Sequence, residues 1–172
     1  MKIETRTDVA GMRCTAHFSD DEIYRYYLEW RWSNDPLLVV CMLNPSTATH
    51  EIMDPTIRGL IRRADAWRYG GIAVVNLFAY RSTSPKVMKK APNPVGPDND
   101  DMLVCVSEAT GNTLPIVAAW GNHGRFQERD SKVLQMLKRP FSAFASNANG
   151  TPKHPLYVPR SLQPSDWYRP SH

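Results

Sequence analysis

No stretch of this chain approaches the ~20 consecutive apolar residues that a membrane-spanning helix requires. The amino-terminal MKIETRTDVAG has no apolar segment of the kind a secretion signal carries. A soluble, cytoplasmic protein with no membrane partner is therefore expected. Cysteine is scarce, with Cys14, Cys41 and Cys105 the three examples in 172 residues. They are far apart, form no Cys-x-x-Cys pair and are odd in number, which fits reduced thiols and argues against disulfides or zinc. The chain also lacks a GxGxxG, a Walker loop, an HExxH and the spacing of a nucleophile elbow. Those absences remove the motif-defined dinucleotide, P-loop and zinc-protease classes, and neither a metal nor a cofactor is expected.

What remains is ordinary globular composition, 42% hydrophobic and 22% charged. The length predicts a single domain over residues 1–172, with 1–32 as an amino-terminal β extension. The formal charge of +4 suits a polyanionic partner without identifying one. No obligate protein partner is inferred.

The chain is organised around residues 37–47, LLVVCMLNPST. A short apolar run without alternation reads as a strand buried on both faces, as in a parallel sheet. Three later segments repeat the pattern: 72–76 before LFAYRST, 116–120 before GNHG, and 141–145 before SNANGTPKHPLY. Open α/β sheets bind ligands outside the carboxyl ends of their strands. Four such strands predict one shared site at one edge of one sheet.

Between these strands the reading is as follows. Residues 1–18 form a hairpin with Cys14, Ala16 and Phe18 inward and Gly11 near the turn. YRYYLEWRW at 24–32 alternates as an edge strand, with Tyr24, Tyr26, Leu28 and Trp30 on one face and Arg25, Tyr27, Glu29 and Arg31 on the other. An aromatic surface for single-stranded nucleic acid is the competing reading of that stretch. Asp54-Pro55-Thr56 starts a helix whose stripe is Ile57, Leu60, Ile61, Ala64 and Trp67, with Arg58, Arg62, Arg63 and Arg68 mostly elsewhere. A long connection over 77–97 carries Arg81, Lys86, Lys89 and Lys90. Helices are predicted over 99–110 and 126–138. The fold expected is a three-layer α/β/α domain with a central, mostly parallel four-stranded sheet and an amino-terminal β-hairpin or meander.

The strand ends supply the candidate chemistry. Asn44, fixed by Pro45, has an amide that can hold a water, or it serves only to satisfy loop backbone groups. Ser46 and Thr47 suit a phosphate or a turn. Asn76 offers donor and acceptor together, which suits the edge of a base held out of its stack, or a turn. Phe78 and Tyr80 are either stacking platforms or core. His123 reads as incidental. His154, between Lys153 and Pro155, is either a surface histidine or a donor to an oxygen that gains negative charge as a bond breaks.

At these residues the sequence resembles a bacterial and phage domain family of unknown function. The shared pattern is LNPSTA, DPTIR, WxYGGxxVVNLFAxRxTxP, PVGPxND, AAWGxHG and HPLY, over nearly the whole chain. More distantly, the strand ends resemble the uracil-DNA glycosylase superfamily, its mismatch-specific members in particular, in the same chain order. LNPST resembles an Asn-Pro-Gly motif, VVNLFAYRST a base-reading strand, AAWG the penultimate strand, and HPLY a His-Pro-Ser-Pro motif. That resemblance implies a glycosylase-type fold and hydrolysis of the N-glycosidic bond of a uracil-like or modified base. It implies that Asn44 places the attacking water, Asn76 reads the base edge and His154 stabilises the leaving base. Pro45, Ser46, Thr47, Phe78, Gly121 and Tyr157 would complete the substrate contacts. The partner implied is nucleic acid, DNA rather than RNA, or a free nucleotide. Ser46 stands where the motif has Gly, and Leu156-Tyr157 replaces Ser-Pro. Two alternatives share this site: a module that holds a nucleobase or nucleotide without cleaving it, and an enzyme that modifies a base without glycosidic cleavage.

Overall fold

Leu38, Val40 and Met42 belong to one apolar cluster, and Val39, Cys41 and Leu43 to another. The run LLVVCM is thus a strand whose two faces are both covered, as a non-alternating apolar sequence requires. The computed structural model describes residues 1–8, 10–46, 54–111 and 114–170. It contains eight strands: β1 (Lys2–Thr7), β2 (Arg13–Phe18), β3 (Arg25–Arg31), β4 (Leu37–Met42), β5 (Gly71–Asn76), β6 (Ile116–Ala118), β7 (Phe141–Ala143) and β8 (Ser165–Tyr168). Four α-helices join them: α1 (Pro55–Ala66), α2 (Pro85–Met88), α3 (Asn99–Thr110) and α4 (Arg129–Leu137).

The protein is an α/β domain, and among the described residues it has one mixed sheet of eight strands, in the order β1-β2-β3-β5-β4-β6-β7-β8. Four of those strands, β5, β4, β6 and β7, run parallel to one another. The hairpin β1–β2 and strand β3 extend the β5 side antiparallel, and β8 does the same beside β7. The sheet is therefore larger than a four-stranded sheet with a hairpin, and β3 is an interior strand between β2 and β5 rather than an edge. Ile57, Leu60 and Ala64 of α1 pack on one face with Leu38, Val40, Ile72 and Val74. Met102, Leu103 and Val106 of α3 and Val133 and Leu134 of α4 pack on the other with Val39, Cys41, Ala73 and Val75.

Local chemistry explains the ends. Asp54 Oδ1 accepts the Ile57 N–H at 2.8 Å and Pro55 takes the first turn, so α1 starts where its cap dictates. Gly70 and Gly71 allow a close chain crossing: a Cβ on Gly70 would lie 2.4 Å from the Asp35 carbonyl oxygen. The helix expected from 126 begins only at Arg129, because Gln127 and Glu128 have φ of 56° and 54° and break the turn. Residues Gly121–Glu128 form a 3₁₀ segment instead.

Two faces differ from the alternating pattern. In β3 the pairing passes from Phe18–Arg25 to His17–Tyr27, so Tyr26 is one residue extra. A bulge of this kind exchanges the faces on either side of it. Tyr26 consequently joins the α3 side while Leu28 and Trp30 stay on the α1 side. Arg25 is buried rather than set among the outward Tyr27, Glu29 and Arg31. In α1, Arg63 is also buried, and its Nη2 donates to the carbonyls of Pro155 at 3.1 Å and Val158 at 2.9 Å.

Candidate functional site

Parallel strands deliver their carboxyl ends to one edge, and there a cleft of about 510 Å³ opens. The loop after β4 contributes Asn44, Pro45 and Ser46, β5 contributes Asn76, and the turn after β6 contributes Trp120 and Gly121. The segment after β7 brings Asn147, His154, Leu156 and Tyr157 to the same cleft. The amides at 44 and 76 and the imidazole at 154, distant in sequence, thus share one hollow. Of the remaining candidates, Phe78 does not line it. That ring is fully buried in the α3-side core and packs against Phe126 with centroids 5.8 Å apart, so it has no face to offer a ligand. Thr47 lies outside the described residues.

Asn44 is held from one end. Its Nδ2 donates to the carbonyls of Pro45 at 3.1 Å, Ser82 at 2.9 Å and Tyr80 at 3.4 Å. Both amide hydrogens are engaged by loop backbone, and the acceptor oxygen is the part left for a ligand or water.

Asn76 is the reverse case. Its backbone carbonyl accepts from Asn99 Nδ2 at 3.0 Å, and the next carbonyl, of Leu77, accepts from Asn99 and from Arg129 Nε at 2.7 Å. The main chain at the end of β5 is therefore pinned by two buried polar side chains. The Asn76 side chain is 3% exposed, lines the cleft, and makes no hydrogen bond to any described residue. The polar atoms of that amide keep access to the open cleft, where a ligand or water can bond them. The indole N–H of Trp120, on the same cleft, is buried without a partner among the described residues.

His154 has a defined tautomer. The Leu156 N–H donates to its Nδ1 at 3.3 Å, so the neutral ring carries its proton on Nε2. Burial pushes its pKa below 6.5, partly offset by the charge of Asp54. At neutral pH it is an uncharged hydrogen-bond donor. Arg63 fixes the loop that follows, through the two carbonyls it bonds and through its guanidinium 5.3 Å over the Phe144 ring. Leu156 and Tyr157 stand at the rim, 52% and 78% exposed.

Three cleft residues carry charge or its potential and were not expected among the site residues. Arg25 is buried and lines the cleft, and desolvation, with Arg81 nearby, lowers its pKa to about 10. Asp54 lines it too, and accepts the Ser46 hydroxyl at 3.2 Å on the oxygen that does not cap α1. His123 reaches the rim with Lys89 Nζ 3.3 Å from its Nδ1, and burial and that cation both lower its pKa. The Arg25 signal is hidden by the bulge in β3. The Asp54 signal was available: a helix that follows a parallel strand starts at the carboxyl edge, so its cap residue stands at the site.

Among the described residues, no group of three or more His, Cys, Asp or Glu side chains could hold a metal ion. No helix among them is long and apolar enough to cross a membrane.

These features define an α/β domain with a polar cleft of small-molecule size at the carboxyl edge of its parallel strands. Residues 25–156 match the family described as protein of unknown function (DUF1643), and the chain belongs to that family. The match runs from the buried Arg25 through the HPL of the His154 loop. No curated protein and no solved structure matches the chain.

Proposed function

We propose that the cleft takes up a nucleobase and that the protein hydrolyses its N-glycosidic bond, on a uracil-like or modified base in DNA. The observation that carries the reading is the Asn76 side chain: an amide at the end of β5 whose polar atoms face the cleft with no partner among the described residues. An amide so placed pairs with a ligand edge that has donor and acceptor side by side, as uracil has. Two further features support it. His154, neutral and with a free Nε2–H, is suited to an oxygen that becomes negative as the leaving base departs. Asn44 has its oxygen left to hold a water. The order of these motifs along the chain, on four neighbouring parallel strands, agrees with the resemblance to the uracil-DNA glycosylase superfamily.

The test is release of free base, read by mass spectrometry, from single-stranded and duplex oligonucleotides containing uracil, hypoxanthine or hydroxymethyluracil. Release is expected from at least one, with loss on Asn76→Ala and on His154→Asn. No release from any of them overturns the reading.

A second reading, a module that binds a free nucleotide without cleaving it, is favoured by Arg25, whose buried guanidinium in the cleft suits a phosphate. It predicts thermal stabilisation by mononucleotides with no released base.

A further inference from the structure

Attack by water is faster where a group takes up its proton, and neither named amide can do so, because a neutral carboxamide is not a base at any ordinary pH. His154 is not free for the task either, since its one basic nitrogen, Nδ1, already accepts from the Leu156 N–H. Among the described residues that line the cleft, Asp54 is the one carboxylate. We infer that Asp54 is the proton acceptor of the reaction in this cleft, an inference that rests on the glycosidic reading above.

The geometry supports that role in three ways. The Asp54 side chain is locked: one oxygen accepts the Ile57 N–H at 2.8 Å and the other the Ser46 hydroxyl at 3.2 Å. Two bonds use two of about four acceptor positions on a carboxylate, so room for a water remains. The buried Arg25 cation lies within electrostatic reach of it and lines the same cleft. It also stands within electrostatic reach of His154, on a different element, so that base and acid flank one space.

The step balances without a further reactant. A water held by Asn44 and Asp54 attacks the sugar C1′ and gives its proton to Asp54. The C1′–N bond breaks, and its electron pair leaves on the base nitrogen and spreads to the exocyclic carbonyl oxygen facing His154 Nε2–H. The base then takes up a proton, and Asp54 returns its own to solvent. Asp54 also explains why helix α1 starts where it does: the residue that caps the helix is the residue that meets the water.

Asp54→Asn and Asp54→Ser are the informative variants, since Asn and Ser cap helices as Asp does and neither takes a proton at neutral pH. Each is assayed for base release from whichever uracil-, hypoxanthine- or hydroxymethyluracil-containing oligonucleotide the wild type cleaves, and for thermal stabilisation by the free base. The expected result is a fall in single-turnover rate of about 100-fold or more. Thermal stabilisation by free base stays unchanged. A fall of less than tenfold, or one that tracks lost binding, overturns the role of Asp54 and leaves the glycosidic reading standing. A wild type that releases no base overturns both.

Discussion

Replacing Asn76 by leucine separates a ligand-directed amide from a structural one. Leucine has the same branching at Cγ without the polar atoms, and Asn76 is 3% exposed at the end of the buried strand β5. The amide bonds no described residue and its polar atoms face the cleft, so its removal is expected to leave the stability of the free protein within about 1 kcal/mol of the wild type. For a domain of this size that is a change of no more than roughly 2–4 °C in Tm. Asn99 is the internal control. It is fully buried, and its Nδ2 bonds the carbonyls of Asn76 and Leu77. Asn99→Leu takes the side-chain donor from the Asn76 carbonyl, leaves the Leu77 carbonyl with Arg129 Nε, and is expected to cost about 2–3 kcal/mol. The assay is urea unfolding followed by tryptophan fluorescence, with both variants beside the wild type. A loss of 2 kcal/mol or more in Asn76→Leu would refute the reasoning, because it would mean that the amide serves the fold.

The other predictions follow from single contacts. Arg63→Ala frees the carbonyls of Pro155 and Val158 and removes a buried cation from Phe144; it is expected to cost about 3 kcal/mol and to reduce base release, and retention of both would contradict its positioning role. His154 has its folded pKa below 6.5, so between that value and 6.5 the unfolded chain binds more protons. Stability should therefore fall as pH drops through about 6.5 and level off below the folded pKa. His154→Asn should flatten part of that slope, the remainder coming from His17 and His123, whose pKa values burial also lowers. Gly124→Ala would bring a Cβ to 2.1 Å from Trp120 Cδ1, which must move a ring that lines the cleft; a loss of about 1–3 kcal/mol by calorimetry is expected.

What could be read without coordinates follows a physical divide. Asn44 and Asn76 were legible because each closes an apolar run, and the carboxyl ends of parallel strands converge whatever the loops do. The Asp54 cap and the helix after it were legible because capping is local. Arg63 was not, since its partners lie 92 and 95 residues away and only tertiary packing turns a helix arginine inward. Arg25 was hidden by one extra residue in β3, which a period-two pattern cannot register. Strand β8 escaped because SDWY is mostly exposed and gains its place only by pairing with β7. Phe78 looked available for stacking because it follows Asn76 by two residues, yet the chain turns it into the core.

The most direct measurement of the central claim follows the side-chain amide of Asn76 in an ¹⁵N-labelled protein, with its NMR signals assigned by their loss in Asn76→Leu. Titration with uracil is expected to shift both Nδ2 protons downfield in a saturable way, together with the indole N–H of Trp120. If those signals stay in place while uracil is raised to saturation in solution, the cleft does not read a base through Asn76.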